Sequence, residues 1–178
     1  MLNTCYTLIT GASEGFGKAL AIECAGRNMN LILVALPGPE LHSLTGFIKR
    51  NYHVEVIAIE KDLCKDESCM ELYTRIRELD LQVNMLINNA GIGSTGLFEE
   101  GSPGLYEKQI RLNVLATTML TRLFLKILNA TVIPISSMLA AWHPFFIYPK
   151  NKCMVQLNPL SIFFQRVCER SLKKAMFM

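Results

Sequence analysis

Three glycines offer the first chemistry in this sequence. In Thr10-Gly11-Ala12-Ser13-Glu14-Gly15-Phe16-Gly17 they stand at 11, 15 and 17, between a short apolar run and an amphipathic one. Glycine is required where the backbone must turn sharply and approach a ligand with no Cβ in the way. If a helix opens at this point, its first N–H groups and positive dipole end make a seat for a diphosphate. The spacing is Gly-x-x-x-Gly-x-Gly, which differs from the Gly-x-Gly-x-x-Gly dinucleotide fingerprint. Many strand-to-helix turns carry glycines with no ligand, so the flanking elements decide what this one can do.

Those elements alternate. Residues 6–9 read as a strand running into the glycines, and residues 17–28 as a helix with Leu20, Ala21, Cys24 and Ala25 on one face. Residues 30–35 read as a second strand, closed by Pro37-Gly38-Pro39, and 40–51 as a second helix. A third strand is expected over 54–59, a third helix over 66–79, and a fourth strand over 84–87, followed by Asn88-Asn89-Ala90-Gly91. A long helix is expected over 106–128, a fifth strand over 131–135 that delivers Ser136 and Ser137, and a last helix over 163–174. Short apolar runs alternating with longer amphipathic ones predict βαβ units and a parallel sheet, hence an α/β fold.

With the elements in place, Thr10-Gly11-x-x-x-Gly15-x-Gly17 follows the first strand and Asn88-Asn89-Ala90-Gly91 the fourth. Together they resemble the paired signatures of the short-chain dehydrogenase/reductase family. The resemblance covers residues 4–140 well and the remainder poorly. It implies a Rossmann-like, doubly wound parallel sheet of order 3-2-1-4-5 in three αβα layers, in a single domain over 1–178. It implies NAD or NADP bound along Thr10, Gly11, Ser13, Glu14, Gly15, Phe16 and Gly17. Asn89, Ala90 and Gly91 would flank the cofactor, and Asp62 with Leu63 would lie beside the adenine. In this fold an acid at the end of the second strand pairs with the ribose hydroxyls, whereas a nearby Arg accommodates an extra phosphate. Val34-Ala35-Leu36-Pro37 has neither, and the sequence leaves NAD and NADP open.

The resemblance also implies an oxidoreductase that interconverts an alcohol and a carbonyl. Hydride transfer to a carbonyl needs a proton for the developing alkoxide. The family supplies it from a Tyr, with a Lys nearby, a Ser orienting the carbonyl and an Asn in the preceding helix. A free phenol titrates near pH 10, and lowering it by about 3 units takes roughly 4 kcal/mol of differential stabilisation. A Lys one helical turn away contributes, since i and i+4 share a face. Ser137 and Asn113 match their family positions, and Tyr148-Pro149-Lys150-Asn151-Lys152 matches Tyr-x-x-x-Lys. A rival register, counted back from Phe163-Phe164-Gln165-Arg166, puts Met154 and Asn158 at the Tyr and Lys positions. Methionine has no titratable proton and asparagine no positive charge, so that register could not do the chemistry.

Composition narrows the remaining classes. The chain has 178 residues, 51% hydrophobic and 19% charged, with net charge +3. Its basic doublets, Lys49-Arg50 and Lys173-Lys174, are too few for a nucleic-acid groove. Cys5, Cys24, Cys64, Cys69, Cys153 and Cys168 lie far apart without metal-ligand spacing, so we expect no metal site and a reducing compartment. No secretory signal is evident, and no apolar run reaches the roughly 18 to 20 residues that cross a bilayer. The expectation is a cytoplasmic protein, acting on a small carbonyl or alcohol, with neither nucleic acid nor membrane as partner. Leu112, Leu115, Met119 and Leu123 suggest an apolar stripe through which the long helix could self-associate. Family members are longer, so the fold is expected to be incomplete on its C-terminal side, with a catalytically silent nucleotide-binding protein as the alternative. A flavodoxin-like binder fits the layers but not this glycine spacing.

Overall fold

The structure is a computed structural model that describes residues 5–94 and 97–128. Among the described residues, four parallel strands form one sheet of order β3-β2-β1-β4. They are β1 (Cys5–Thr10), β2 (Asn30–Ala35), β3 (Val56–Glu60) and β4 (Gln82–Ile87). The helices are α1 (Gly15–Gly26), α2 (Pro39–Asn51), α3 (Ser68–Glu78), α4 (Pro103–Ile110) and α5 (Thr117–Leu128). This is the Rossmann-like, doubly wound arrangement that the resemblance implied, with β1 at the point where the strand order reverses. The expected fifth strand at 131–135 and the last helix at 163–174 lie outside the described residues.

Both faces of the sheet are covered, which is why β1 and β2 are nearly continuous apolar runs. Side chains alternate between the two faces. Ile9, Leu31, Leu33 and Ala35 point towards α1 and α2, where Ala21, Ala25, Leu41 and Ile48 meet them. Leu8, Ile32, Val34 and Leu86 point the other way, onto Leu72 and Ile76 of α3 and Leu120 and Phe124 of α5. Phe124 is fully buried, and its ring lies edge-on to Tyr73 at 5.2 Å. Burying each such side chain stabilises the fold by about 1.5–3 kcal/mol.

Local chemistry sets the element ends. The chain leaves α1 through Asn28 in a left-handed turn (φ 57°), a conformation asparagine tolerates. Pro39 opens α2, where its missing N–H costs nothing. The β1–β4 register shifts between Tyr6 and Thr7, so Asn84 is an extra residue on β4 between Val83 and Met85. Tyr6, at the start of β1, donates its hydroxyl to the Glu55 carboxylate. That bond, together with burial and the negative charge, pushes the phenol up to about 12. Burial pushes the thiols of Cys24, Cys64 and Cys69 up. No helix among the described residues is long and apolar enough to cross a membrane.

The long helix differs from the expectation. It starts at Pro103, three residues earlier than 106, with Ser102 capping it by accepting from the Leu105 N–H. Between α4 and α5, residues Arg111–Ala116 form a π-helical segment. Such wide turns are rare and concentrate at functional sites.

Candidate cofactor site

Helix α1 begins with no protection of its own. Glu14 occupies the N-cap with extended backbone and makes no side-chain capping bond, and no acid lies in the first turn. The first bonded amide is that of Lys18, which donates to Glu14 O at 3.1 Å. The amides of residues 14–17 therefore have no carbonyl within the helix to receive them. Gly15 has φ +52°, and a Cβ there would meet nothing within 4 Å, so the front of the turn is open. Phe16 is 60% exposed beside it. Open space, unclaimed amides and the helix dipole fit the diphosphate of a dinucleotide.

Behind the turn there is no room at all. A Cβ on Gly17 would stand 2.1 Å from Gly11 O and 2.4 Å from Asn89 Nδ2. Gly11 is left-handed (φ +64°), and its Cβ would meet Ala90 Cα at 2.8 Å. The helix start, the glycine turn and the segment after β4 thus press backbone against backbone.

Two polar side chains lock that contact. Thr10, 1% exposed at the end of β1, accepts through Oγ1 from the amides of Asn89 and Ala90, both at 3.0 Å. Asn89 Nδ2 returns two bonds, to Thr10 O at 3.1 Å and Gly11 O at 3.0 Å. Both expected signatures are therefore joined directly. Asn88 turns away and donates through Nδ2 to Thr121 Oγ1 at 3.0 Å, tying the same segment to α5. Its Oδ1 is buried without a partner among the described residues.

Asn113 lies in the π-helical segment and clasps one residue from both sides. Its Oδ1 accepts from the Ile92 N–H at 2.9 Å, and its Nδ2 donates to Ile92 O at 2.8 Å. The segment running from β4 past Gly91 is thereby fixed at two points, Thr10 and Asn113. Sequence reading marked Asn113 but gave no sign of this clasp, which depends on how the long helix docks.

At the outer strands the expectations divide. Asp62 Oδ1 accepts from the Cys64 N–H at 3.0 Å, which closes a local turn after β3. The Leu63 side chain is buried in the core beside α3, so only its main chain can face a nucleotide. Ser13 is half-buried in the turn, and Glu14 is exposed. Ser137, Tyr148 and Lys152, and the alternatives Met154 and Asn158, lie outside the described residues.

The apolar stripe on the long helix splits. Leu112 and Leu123 pack against the core, whereas Leu115 and Met119 are 49% and 37% exposed. Leu115 joins Ile110, Phe98 and Tyr106 around an open depression of about 890 Å³, away from the glycine turn. At its side Arg111 pairs with Asp66 at 2.6 Å and Glu107 at 2.9 Å.

Comparison with known proteins agrees with this geometry. The chain is 28% identical over 160 residues to 17-beta-hydroxysteroid dehydrogenase type 3 of Homo sapiens, covering 84% of this chain and 50% of that protein. It is 33% identical over 126 residues to very-long-chain 3-oxoacyl-CoA reductase of Anas platyrhynchos, covering 67% of this chain and 39% of that one. The chain thus spans half or less of the length of these relatives. Among solved structures, a short-chain dehydrogenase from Sphingobium yanoikuyae in complex with NADPH superposes with a TM-score of 0.76 at 25% identity, covering 96% of this chain and 66% of that one. The sequence model described as short chain dehydrogenase matches residues 6–152, most of the sequence. With both signatures joined at the switch point of a Rossmann-like sheet, the chain belongs to the short chain dehydrogenase family.

Proposed function

We propose that this protein is a nicotinamide-dinucleotide-dependent oxidoreductase that interconverts an alcohol and a carbonyl. The observation that carries the reading is the uncapped start of α1, held against Asn89 by the Thr10 clamp. In this reading the amides of residues 14–17 receive the diphosphate, and the segment Asn89, Ala90 and Gly91 lines the path towards the nicotinamide. Asp62 and the main chain at Leu63 border the adenine. The bound dinucleotide supplies or accepts the hydride. Ser137 orients the carbonyl, Tyr148 gives or takes the proton, and Lys152 holds the phenol in its reactive state. Asn113 steadies the segment at Ile92 and offers its own carbonyl to a water on the proton's path.

The test is turnover by the purified chain with a panel of small ketones and secondary alcohols, followed through nicotinamide absorbance. We expect cofactor-dependent turnover that Tyr148→Phe removes while leaving dinucleotide binding intact. No turnover over a broad panel would defeat the catalytic part of the proposal. A second reading is favoured by the register that places Met154 and Asn158 at the proton-transfer positions: binding without turnover, indifferent to Tyr148→Phe.

The proposal includes self-association through the exposed Ile110, Leu115 and Met119 of the long helix. A light-scattering mass of two or more chains at micromolar concentration is expected. A single-chain mass would exclude it.

A further inference from the structure

Two helix starts lie at the ends of β1 and β2, and they differ in the negative charge around them. That of α1 carries no acid and no side-chain cap. That of α2 also lacks a side-chain cap from its N-cap residue, but it carries Glu40 in its first turn and a second acid, Glu60, beside it. Glu60, the last residue of β3, pairs with Ala35, the last of β2, and Lys61 N–H donates to Ala35 O at 2.7 Å. This register brings the Glu60 carboxylate over the corner where β2 turns into α2. Its Oε1 accepts from the Gly38 N–H at 3.3 Å and lies 2.9 Å from His42 Nε2. A second carboxylate folds back onto the same residue, since a Cβ on Gly38 would stand 2.8 Å from Glu40 Oε2.

The end of β2 is where this fold reads the adenosine ribose, by an acid for free hydroxyls or by an Arg for a 2′-phosphate. Residues 34–40 contain no Arg or Lys, and Leu36 there is 61% exposed. Lys61, next to Glu60 in the chain, is paired with Glu71 at 2.9 Å. A 2′-phosphate would meet two carboxylates, and the Gly38 amide that could have received it is already bonded to one of them. Like charges brought together repel, and the His42 ring at this corner is already engaged by Glu60.

We propose that this site selects NAD(H) over NADP(H), and that Glu60 is the residue that sets the preference. The inference rests on the proposed dinucleotide site, and it sets this chain apart from the NADPH-bound neighbour described above. Glu60 does not need to touch the ribose to act. Its charge and its hold on the Gly38 amide weaken the anion-binding capacity that the start of α2 would otherwise have.

The experiment is a pair of titrations of the full chain with NADH and NADPH, read by nicotinamide fluorescence and by calorimetry. We expect NADH to bind at least about tenfold more tightly, the scale of one screened like-charge contact. Glu60→Gln keeps an acceptor for Gly38 but removes the charge, and should shrink the ratio by about tenfold through tighter NADPH binding. The wild-type ratio should also shrink as salt rises from about 0.01 M to about 1 M, because exposed charges are screened; this arm needs no variant to fold. Equal or tighter NADPH binding, or a ratio indifferent to both salt and Glu60→Gln, would overturn the proposal. If neither dinucleotide binds to folded protein, the proposed function falls and this inference with it.

Discussion

Gly17→Ala is expected to lose dinucleotide binding by at least about a hundredfold, roughly 2.7 kcal/mol, and to destabilise the fold as well. The added methyl would lie 2.1 Å from Gly11 O and 2.4 Å from Asn89 Nδ2, far inside van der Waals contact. Neither neighbour can step aside cheaply. Gly11 O belongs to the turn itself, and Asn89 Nδ2 is held by Thr10 O and Gly11 O. Relief comes only if α1 moves away from the turn, which displaces the very amides proposed to hold the diphosphate. Overpacking of this kind costs about 1–3 kcal/mol, and we expect the upper end because the clash is with main chain. Gly15→Ala is the natural comparison, since its Cβ meets nothing and only the positive φ is strained. Denaturant melts and cofactor titrations of the two variants check the ordering. If Gly17→Ala binds like the wild type, the close-packed turn has no part in recognition.

Asn89→Ala is expected to destabilise the protein by about 2–3 kcal/mol, because it removes both amide bonds and leaves two carbonyls to find other partners. The sharper variant is Asn89→Asp. It has nearly the same shape, but its ionised carboxylate accepts only. At 3.0–3.1 Å from Thr10 O and Gly11 O it would oppose lone pairs with a negative charge. Asn89→Asp should therefore be at least as unstable as Asn89→Ala at neutral pH, and should recover part of the loss in acid as the carboxyl gains a proton. A stable Asn89→Asp would mean that the amide group is incidental and that Thr10 alone holds the segment.

Much of this scaffold could be read from residue order because burial on both faces writes itself into composition. β2 falls at the expected 30–35, and β1 differs only at its ends, since central parallel strands must be apolar throughout. β3 was harder. It begins at Val56 and ends at Glu60, not 54–59, because the pairing with β2 carries an exposed, charged residue that hydropathy alone assigns to a loop. The seat of Glu60 over Gly38 follows from that register, so no local signal marks it. The glycine turn and the Asn-Asn-Ala-Gly segment were visible as separate motifs. Their union through Thr10 and Asn89 is a tertiary fact, as is the clasp between Asn113 and Ile92. The π-helical segment around Asn113 leaves no trace in periodicity, since its sequence Arg-Leu-Asn-Val-Leu-Ala suits an ordinary helix equally well. The stripe on the long helix failed as a single surface because the π-helical turn at Arg111–Ala116 breaks the 3.6-residue period that would have kept its residues in phase. Leu112 and Leu123 turn to the core, while Leu115 and Met119 turn out.

Amide hydrogen exchange with and without NADH examines the central claim at its own location. The amides of residues 14–17 have no helical acceptor in the free protein and should exchange fast. On saturation with NADH we expect strong protection of these amides, with little change at the start of α2, where Glu60 already holds Gly38. Protection elsewhere with residues 14–17 still exchanging freely, in protein that demonstrably binds the dinucleotide, would contradict the account.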